Sequence, residues 1–255
     1  MMIDLSGKVA LVTGAASAGG LGFAAAHVMA RQGAALFLTD IDGDAVAARA
    51  AELRDKGFQV QAMAHDVTDE AAWGAVMEAI VAAYDRLDIA VNNAGIAVLR
   101  PMSAMTMEDW RRQLSINLDS VYLGTKAALD QMRRQGQGGS IINMSSVAGL
   151  VGVEGTSAYA ASKGGVRLFS KTVALEAAPE NIRVNTVHPG MIWTDMQKVA
   201  IADNKEVFDQ IVAAVPMRRM GEPADIGAMV AFLASDDAKY ITGAEFIVDG
   251  GMVAQ

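Results

Sequence analysis

Apolar and polar positions along the chain follow two alternating rhythms. Short β-branched runs such as "KVALVT" and "ALFLT" are separated by longer Ala-rich stretches whose apolar residues recur every three or four positions. The short runs predict strands at 8–13, 35–39, 58–64, 87–92, 139–144, 182–187 and 244–248. The longer stretches predict helices at 20–32, 43–56, 69–84, 107–135, 157–177 and 223–235. Gly33, Gly57 and Gly136 each follow a predicted helix, where a residue without Cβ can take the left-handed conformation that ends it. The stretch 190–222 has no clear period. It carries Met191, Trp193, Met196, Met217 and Met220, and reads either as a substrate lid or as an ordinary surface helix–loop insertion.

Strand and helix in strict alternation imply a crossover between strands, hence a parallel sheet covered on both faces. The expected fold class is α/β, doubly wound (Rossmann-type). One seven-stranded parallel sheet would fill a single domain over residues 1–255, with 190–222 as the lid within it. Hydrophobic residues at 52% and charged residues at 20% exclude a disordered chain. A net charge of -8, with no Lys/Arg cluster to offset it, argues against a nucleic-acid or anionic-membrane surface. The apolar stretch 21–38 is interrupted by His27, Arg31 and Gln32 and is not a membrane span. There is no cysteine and no basic-then-apolar leader, so a cytoplasmic location is expected.

Three local patterns carry chemistry. The first is "TGAASAGGLG", residues 13–22, between the first strand and the first helix. Gly14, Gly19, Gly20 and Gly22 would let a pyrophosphate approach the backbone at the helix N-terminus. A tight turn and nothing more would use the same residues. The second is Asp40, which ends the next strand about 20 residues further on. A carboxylate there can accept both hydroxyls of an adenosine ribose and repel the extra phosphate of NADP. No Arg or Lys lies between Lys8 and Arg31, so NAD is the expected cofactor. A turn or helix-cap role would also suit Asp40.

The third pattern is "SAYAASKGG", with Tyr159 and Lys163 four residues apart on one helix face, and Ser146 thirteen residues before the tyrosine. A nearby ammonium would favour the phenolate and make Tyr159 a usable base. Ser146 stands at the carboxyl end of a strand, where ligands bind in open α/β sheets. Asn117 shares the apolar stripe of the 107–135 helix with Leu114, Leu118, Val121, Ala128 and Met132. It either serves the site or is a satisfied core amide at a kink, and the pattern leaves both open.

Taken together, "TGAAS…GLG", "DVTD", "NNAG", "SIN", "NMSSVAG", "YAASK", "HPG" with Thr194 beyond, and "ITGAEFIVDGG" resemble the short-chain dehydrogenase/reductase family over nearly the whole chain. The resemblance implies a catalytic tetrad of Asn117, Ser146, Tyr159 and Lys163. It places Gly14, Ser17, Gly20 and Leu21 at the pyrophosphate, Asp66 and Val67 at the adenine, and Asn93, Ala94 and Gly95 along the cofactor. Pro189 and Gly190 are among the implied cofactor-binding residues, and Ile192 and Thr194 bind the carboxamide. It further implies a homotetramer paired through the helices at 107–135 and 157–177 and through the last strand. The loop departs from the family pattern by two extra residues, nominally Ala18 and Gly19. In that it resembles divergent enoyl-thioester reductases, whose tyrosine lies seven residues before the lysine. Position 156 here is Thr, and Tyr159 has the carbonyl-reductase spacing.

The resulting expectation is an NAD-dependent enzyme interconverting a secondary alcohol and a ketone, acting on a small molecule. The alternatives are a 3-oxoacyl-carrier-protein reductase and a non-catalytic NAD-binding protein. An apolar pocket wall of Val98, Leu99, Val151, Val153, Met191, Trp193 and Met196 suggests a hydrophobic or cyclic substrate. Glu154 reads as a solvated loop charge or a contact to a polar substrate group. His27, His65 and His188 have no metal-like spacing, and no metal is expected.

Overall fold

The structure, a computed structural model, describes residues 3–195, 197 and 205–254. Strand β1 (Val9–Thr13) is buried along its whole length. Successive side chains point to opposite faces, so Ala10 and Val12 enter one core and Val9 and Leu11 the other. That two-sided burial explains why the run reads as continuously apolar instead of alternating. The other strands are β2 (Ala35–Asp40), β3 (Val60–Ala64), β4 (Ile89–Asn92), β5 (Gly139–Met144), β6 (Ile182–Pro189) and β7 (Glu245–Val248). All six strand pairings are parallel, in the order β3-β2-β1-β4-β5-β6-β7. Winding reverses between β1 and β4, which opens a crevice at their carboxyl ends.

Helices cover both faces. α1 (Leu21–Arg31) and α2 (Gly43–Asp55) share one core with the last helix, α8 (Pro223–Ala234), through Phe23, Met29, Leu53, Ile226 and Val230. α3 (Glu70–Tyr84), α5 (Ser120–Gln135) and α6 (Ser157–Ala177) cover the other through Trp73, Ile80, Met132 and Val173. Gly33, Gly57 and Gly136 have φ of +96°, +87° and +67°, the left-handed helix ends expected of them.

Two elements differ from the sequence expectation. The stretch 107–135 is not one regular helix: α4 (Met107–Leu114) and α5 are joined by a widened π turn at Ser115–Asp119. The extra residue in that turn is accommodated where Asn117 bonds sideways to another segment. The region read as least regular contains α7 (Lys205–Ala214). Its flanks are pinned, since Ile192 pairs with Gly221, Trp193 N–H donates to Gly221 O at 2.8 Å, and Val215 and Met220 are buried. Among the described residues no helix is long and apolar enough to cross a membrane.

Candidate active site

The crevice holds a cavity of about 590 Å³, lined by the anticipated tetrad Asn117, Ser146, Tyr159 and Lys163 and by the residues the family resemblance places at the cofactor. Its floor is built by stitching β1 to β4. Thr13 Oγ1 accepts the Asn93 and Ala94 N–H groups at 3.0 and 3.1 Å, while Asn93 Nδ2 donates to Thr13 O and Gly14 O at 2.9 and 3.0 Å. Gly14 has φ +67°, and a Cβ on it would lie 2.7 Å from Ala94 Cα. A Cβ on Gly22 would strike Gly14 O and Asn93 Nδ2. The glycines therefore allow a close-packed cradle. Helix α1 begins at Gly20 with no side-chain cap, leaving its first N–H groups directed at the cleft for an anion. This cradle fits a dinucleotide pyrophosphate.

Asp40 plays the turn role and faces the cavity as well. Its Oδ2 accepts Ala16 N–H at 2.9 Å and its Oδ1 accepts Asp42 N–H at 3.2 Å, which fixes the carboxylate against the glycine loop. Each oxygen keeps a second lone pair for a ribose hydroxyl. Beyond it, Asp66 accepts the backbone and hydroxyl hydrogens of Thr68 at 2.9 and 2.7 Å. Those bonds hold its carboxyl below the usual range, so it stays ionised. Val67 is buried, and its carbonyl accepts Trp73 Nε1–H at 3.1 Å.

At the other end, Ser146 follows β5 in extended conformation, and its Oγ accepts Ala148 N–H at 3.2 Å. Its carbonyl meets His188 Nδ1 at 3.1 Å, and His188 Nε2 meets Thr186 Oγ1 at 2.9 Å. His188 is thus a brace under Ser146. On α6, Lys163 is 4% exposed, and its ammonium donates to Met144 O at 2.8 Å. Burial lowers its pKa from 10.5 to about 8. The Tyr159 phenol is pushed up by burial, against which a hydrogen bond with Ser146 pulls it down. The expected lowering by Lys163 is not seen in the free chain. The ammonium is turned to Met144 and lies 5.8 Å from the ring centroid, so desolvation of the phenolate dominates. Asn117 is wholly buried, and its amide pairs both ways with Ile96, accepting its N–H and donating to its carbonyl at 2.9 Å each. Gly95 has room only for a small residue: its Cβ would lie 3.3 Å from Asn117 Oδ1 and 3.7 Å from Lys163 Nζ.

The expected apolar pocket wall is corrected. Val98, Leu99, Val151, Val153, Met191 and Trp193 do not line the cavity, and Leu99, Val151 and Val153 are 61%, 44% and 40% exposed. Leu99, Val151 and Val153 lie on the surface in segments that no local pattern marks as exposed. Trp193 instead packs edge-on against Phe208, with ring centroids 5.5 Å apart. Met196 lies outside the described residues. Glu154 is solvent-exposed. Ile96, Ala97, Arg112, Ile116, Ser145 and Gln197 line the cavity without having been anticipated. So does His65, which is buried with its ring edge-on to Trp73. Gln113 was also missed. This buried amide accepts Val98 N–H at 2.7 Å and donates to Ile96 O at 2.9 Å, shaping the segment after β4 beside Asn117. Its place four residues before Asn117 was the available signal. Among the described residues no cluster of His, Asp and Glu could hold a metal.

Fold and cleft are those of a doubly wound α/β protein with its cavity at the switch point, a form suited to a dinucleotide. Residues 14–253 match the model of a family described as enoyl-(acyl carrier protein) reductase. The chain is 42% identical to a cyclopentanol dehydrogenase of Comamonas sp. (strain NCIMB 9872), covering 97% of each. It is also 42% identical to an NADP-dependent (R)-specific alcohol dehydrogenase of Lentilactobacillus kefiri, covering 98% of each. A crystal structure of a short-chain type dehydrogenase/reductase from Mycobacterium marinum superposes with a TM-score of 0.93 at 33% identity, over 99% of this chain and 98% of that one. The chain belongs to the short-chain dehydrogenase/reductase family. It is an oxidoreductase of that type and uses a nicotinamide cofactor.

Proposed function

We propose that this protein is an NAD-dependent dehydrogenase interconverting a secondary alcohol and a ketone on a small hydrophobic or cyclic substrate. The observation that carries the proposal is the single cavity shared by Asp40, the glycine cradle and the Ser146–Tyr159–Lys163 group. When bound, the nicotinamide supplies the hydride acceptor or donor. Tyr159 carries the proton: its phenol gives it to the carbonyl oxygen on reduction, and its phenolate takes it from the hydroxyl on oxidation. Ser146, which lowers the Tyr159 phenol pKa, is placed to hold the same substrate oxygen. Lys163 holds the nicotinamide ribose and biases the phenol, and Asn117, at the widened turn, orders a water leading from Lys163 towards solvent.

NAD is favoured over NADP because the Asp40 side chain is held against the glycine loop, facing the cavity where the adenosine ribose would lie. The arginine and lysine among the described lining residues, Arg112 and Lys163, lie on other segments. The cyclopentanol dehydrogenase relative supports a cyclic substrate, and the NADP-dependent relative makes the cofactor the sharper question. We further propose that 190–222 closes over the substrate and that the enzyme is a tetramer. A panel of secondary alcohols with NAD and NADP, followed by NADH absorbance, tests the reading. NAD should give the higher kcat/KM, with cyclic alcohols among the best substrates. Tyr159→Phe should lose about a thousandfold or more in kcat while NADH still binds. A variant retaining most turnover would refute the role of Tyr159, and a preference for NADP would refute that of Asp40.

A further inference from the structure

We infer that Asp195 is a gate latch on the cofactor cleft, a positioning residue that ties the long glycine loop to the segment leaving β6. The inference rests on the cofactor reading above. Asp195 Oδ2 accepts two hydrogen bonds from the loop, from Ser17 Oγ at 2.8 Å and from Gly19 N–H at 2.7 Å. The two sides are remote in sequence yet face each other across one cavity: Ser17, Gly20 and Leu21 line one wall, and Ile192, Thr194 and Gln197 the other. Gly19 belongs to the two-residue excess of this loop over the family spacing. A Cβ on Gly19 would lie 2.7 Å from Asp195 Cγ and would meet Oδ1 as well. Only glycine lets the carboxylate come this close. The added loop length and the carboxylate therefore form one device.

The chemistry of the contact suits a latch better than a ligand mimic. Asp195 takes the N–H of Gly19, which precedes the helix cap Gly20, and leaves the first-turn N–H groups of α1 for the pyrophosphate. These two donors, Ser17 Oγ and Gly19 N–H, both belong to the loop and both bond to Oδ2, so this oxygen is turned towards the loop. Bonds to a carboxylate are stronger than neutral ones, yet this one is partly solvated and breakable. While it is made, the two walls are joined, and a dinucleotide entering or leaving must part them. The latch should then slow entry and exit together and change affinity little. A contact that merely strengthened binding would act on exit alone.

Stopped-flow fluorescence of NADH binding tests this. Asp195→Ala should raise both the association and the dissociation rate about tenfold, with Kd moving less than about threefold. Gly19→Ala, which displaces the carboxylate, should give the same result, and the double variant should go no further than either single. In the free protein, amide exchange over residues 15–20 should quicken in Asp195→Ala. Rates within twofold of wild type, a change confined to dissociation, or effects that add in the double variant would each overturn the latch. Wild-type protein that fails to bind NADH would overturn the cofactor reading with it. Normal wild-type binding with unaltered variants would overturn the latch alone.

Discussion

Lys163 spends folding free energy to keep an ammonium where the reaction needs it. In the folded chain burial lowers its pKa to about 8, while the unfolded chain keeps the ordinary 10.5. Between those two values the unfolded state holds a proton that the folded state has released, so stability rises with pH across that window. Below about 8 both states are protonated, and the cost of burying the charge, about 3 kcal/mol, is fully expressed. Lys163→Met removes the titration. Urea unfolding of both proteins from pH 7 to 10.5 should show wild type gaining up to about 3 kcal/mol on the variant. A constant difference would mean that the ammonium is not buried as described. Tyr159 adds a second pH signature. Because burial favours its acid form, alcohol oxidation should accelerate from pH 7 towards alkaline values, while ketone reduction should hold level until the phenol itself ionises. Tyr159→Phe should flatten both profiles. A wild-type oxidation profile flat over that range would place the proton acceptor elsewhere.

Elements hold these groups in register, and α1 crosses α8 at close range. Gly227 lies against the α1 backbone: a Cβ there would come 2.9 Å from both Ala24 O and Val28 Cγ2. Gly227→Ala should cost about 1–3 kcal/mol and lower the thermal midpoint by several degrees in a calorimetric scan. An unchanged midpoint would show that the crossing has slack. Much of this scaffold is legible in the chain, because β1 and its neighbours are buried on both faces and glycine ends the helices at Gly33, Gly57 and Gly136. The widened turn at Asn117 is not legible, because the apolar stripe of Leu114, Leu118 and Val121 runs through it without a break in spacing. Helix α7 was hidden by the Met-, Gly- and Pro-rich stretches beside it, although Phe208, Ile211 and Val212 keep helical spacing. The glycine-loop side of the cavity lining is legible because its residues sit at strand ends, whose position the fold class dictates. The substrate wall reads badly because Leu99, Val151 and Val153 sit on loops whose direction is set by distant contacts. The pairing of Asp195 with Ser17, 178 residues away, has no local trace at all.

At the scale of the whole molecule, two exposed apolar surfaces among the described residues bear on the proposed tetramer. On the α5–α6 face, a groove runs past Leu118, Tyr122, Gly165 and Phe169, with the Tyr122 and Phe169 rings 6.3 Å apart. Around β7, an edge strand of the sheet, Leu175, Tyr240 and Ile247 are 78%, 100% and 45% exposed. An open edge with apolar neighbours invites pairing with a second copy, and the proposed tetramer would use both faces, each paired with its own copy. Tyr122→Arg should leave dimers in sedimentation velocity, and Leu175→Lys added to it should leave monomers of 26.7 kDa. A wild type sedimenting as a monomer would refute the assembly. The two faces should differ in their effect on the reaction. Pro189 pairs with Val248 of β7, and a Cβ on Gly190 would lie 2.7 Å from Asp249 Cα just beyond it, so the cavity wall at the end of β6 leans on that edge. Opening the β7 face should therefore raise the KM for cofactor and substrate, whereas opening the helix face alone should leave it nearly unchanged. Equal changes from both substitutions would mean that the edge strand does not support the site.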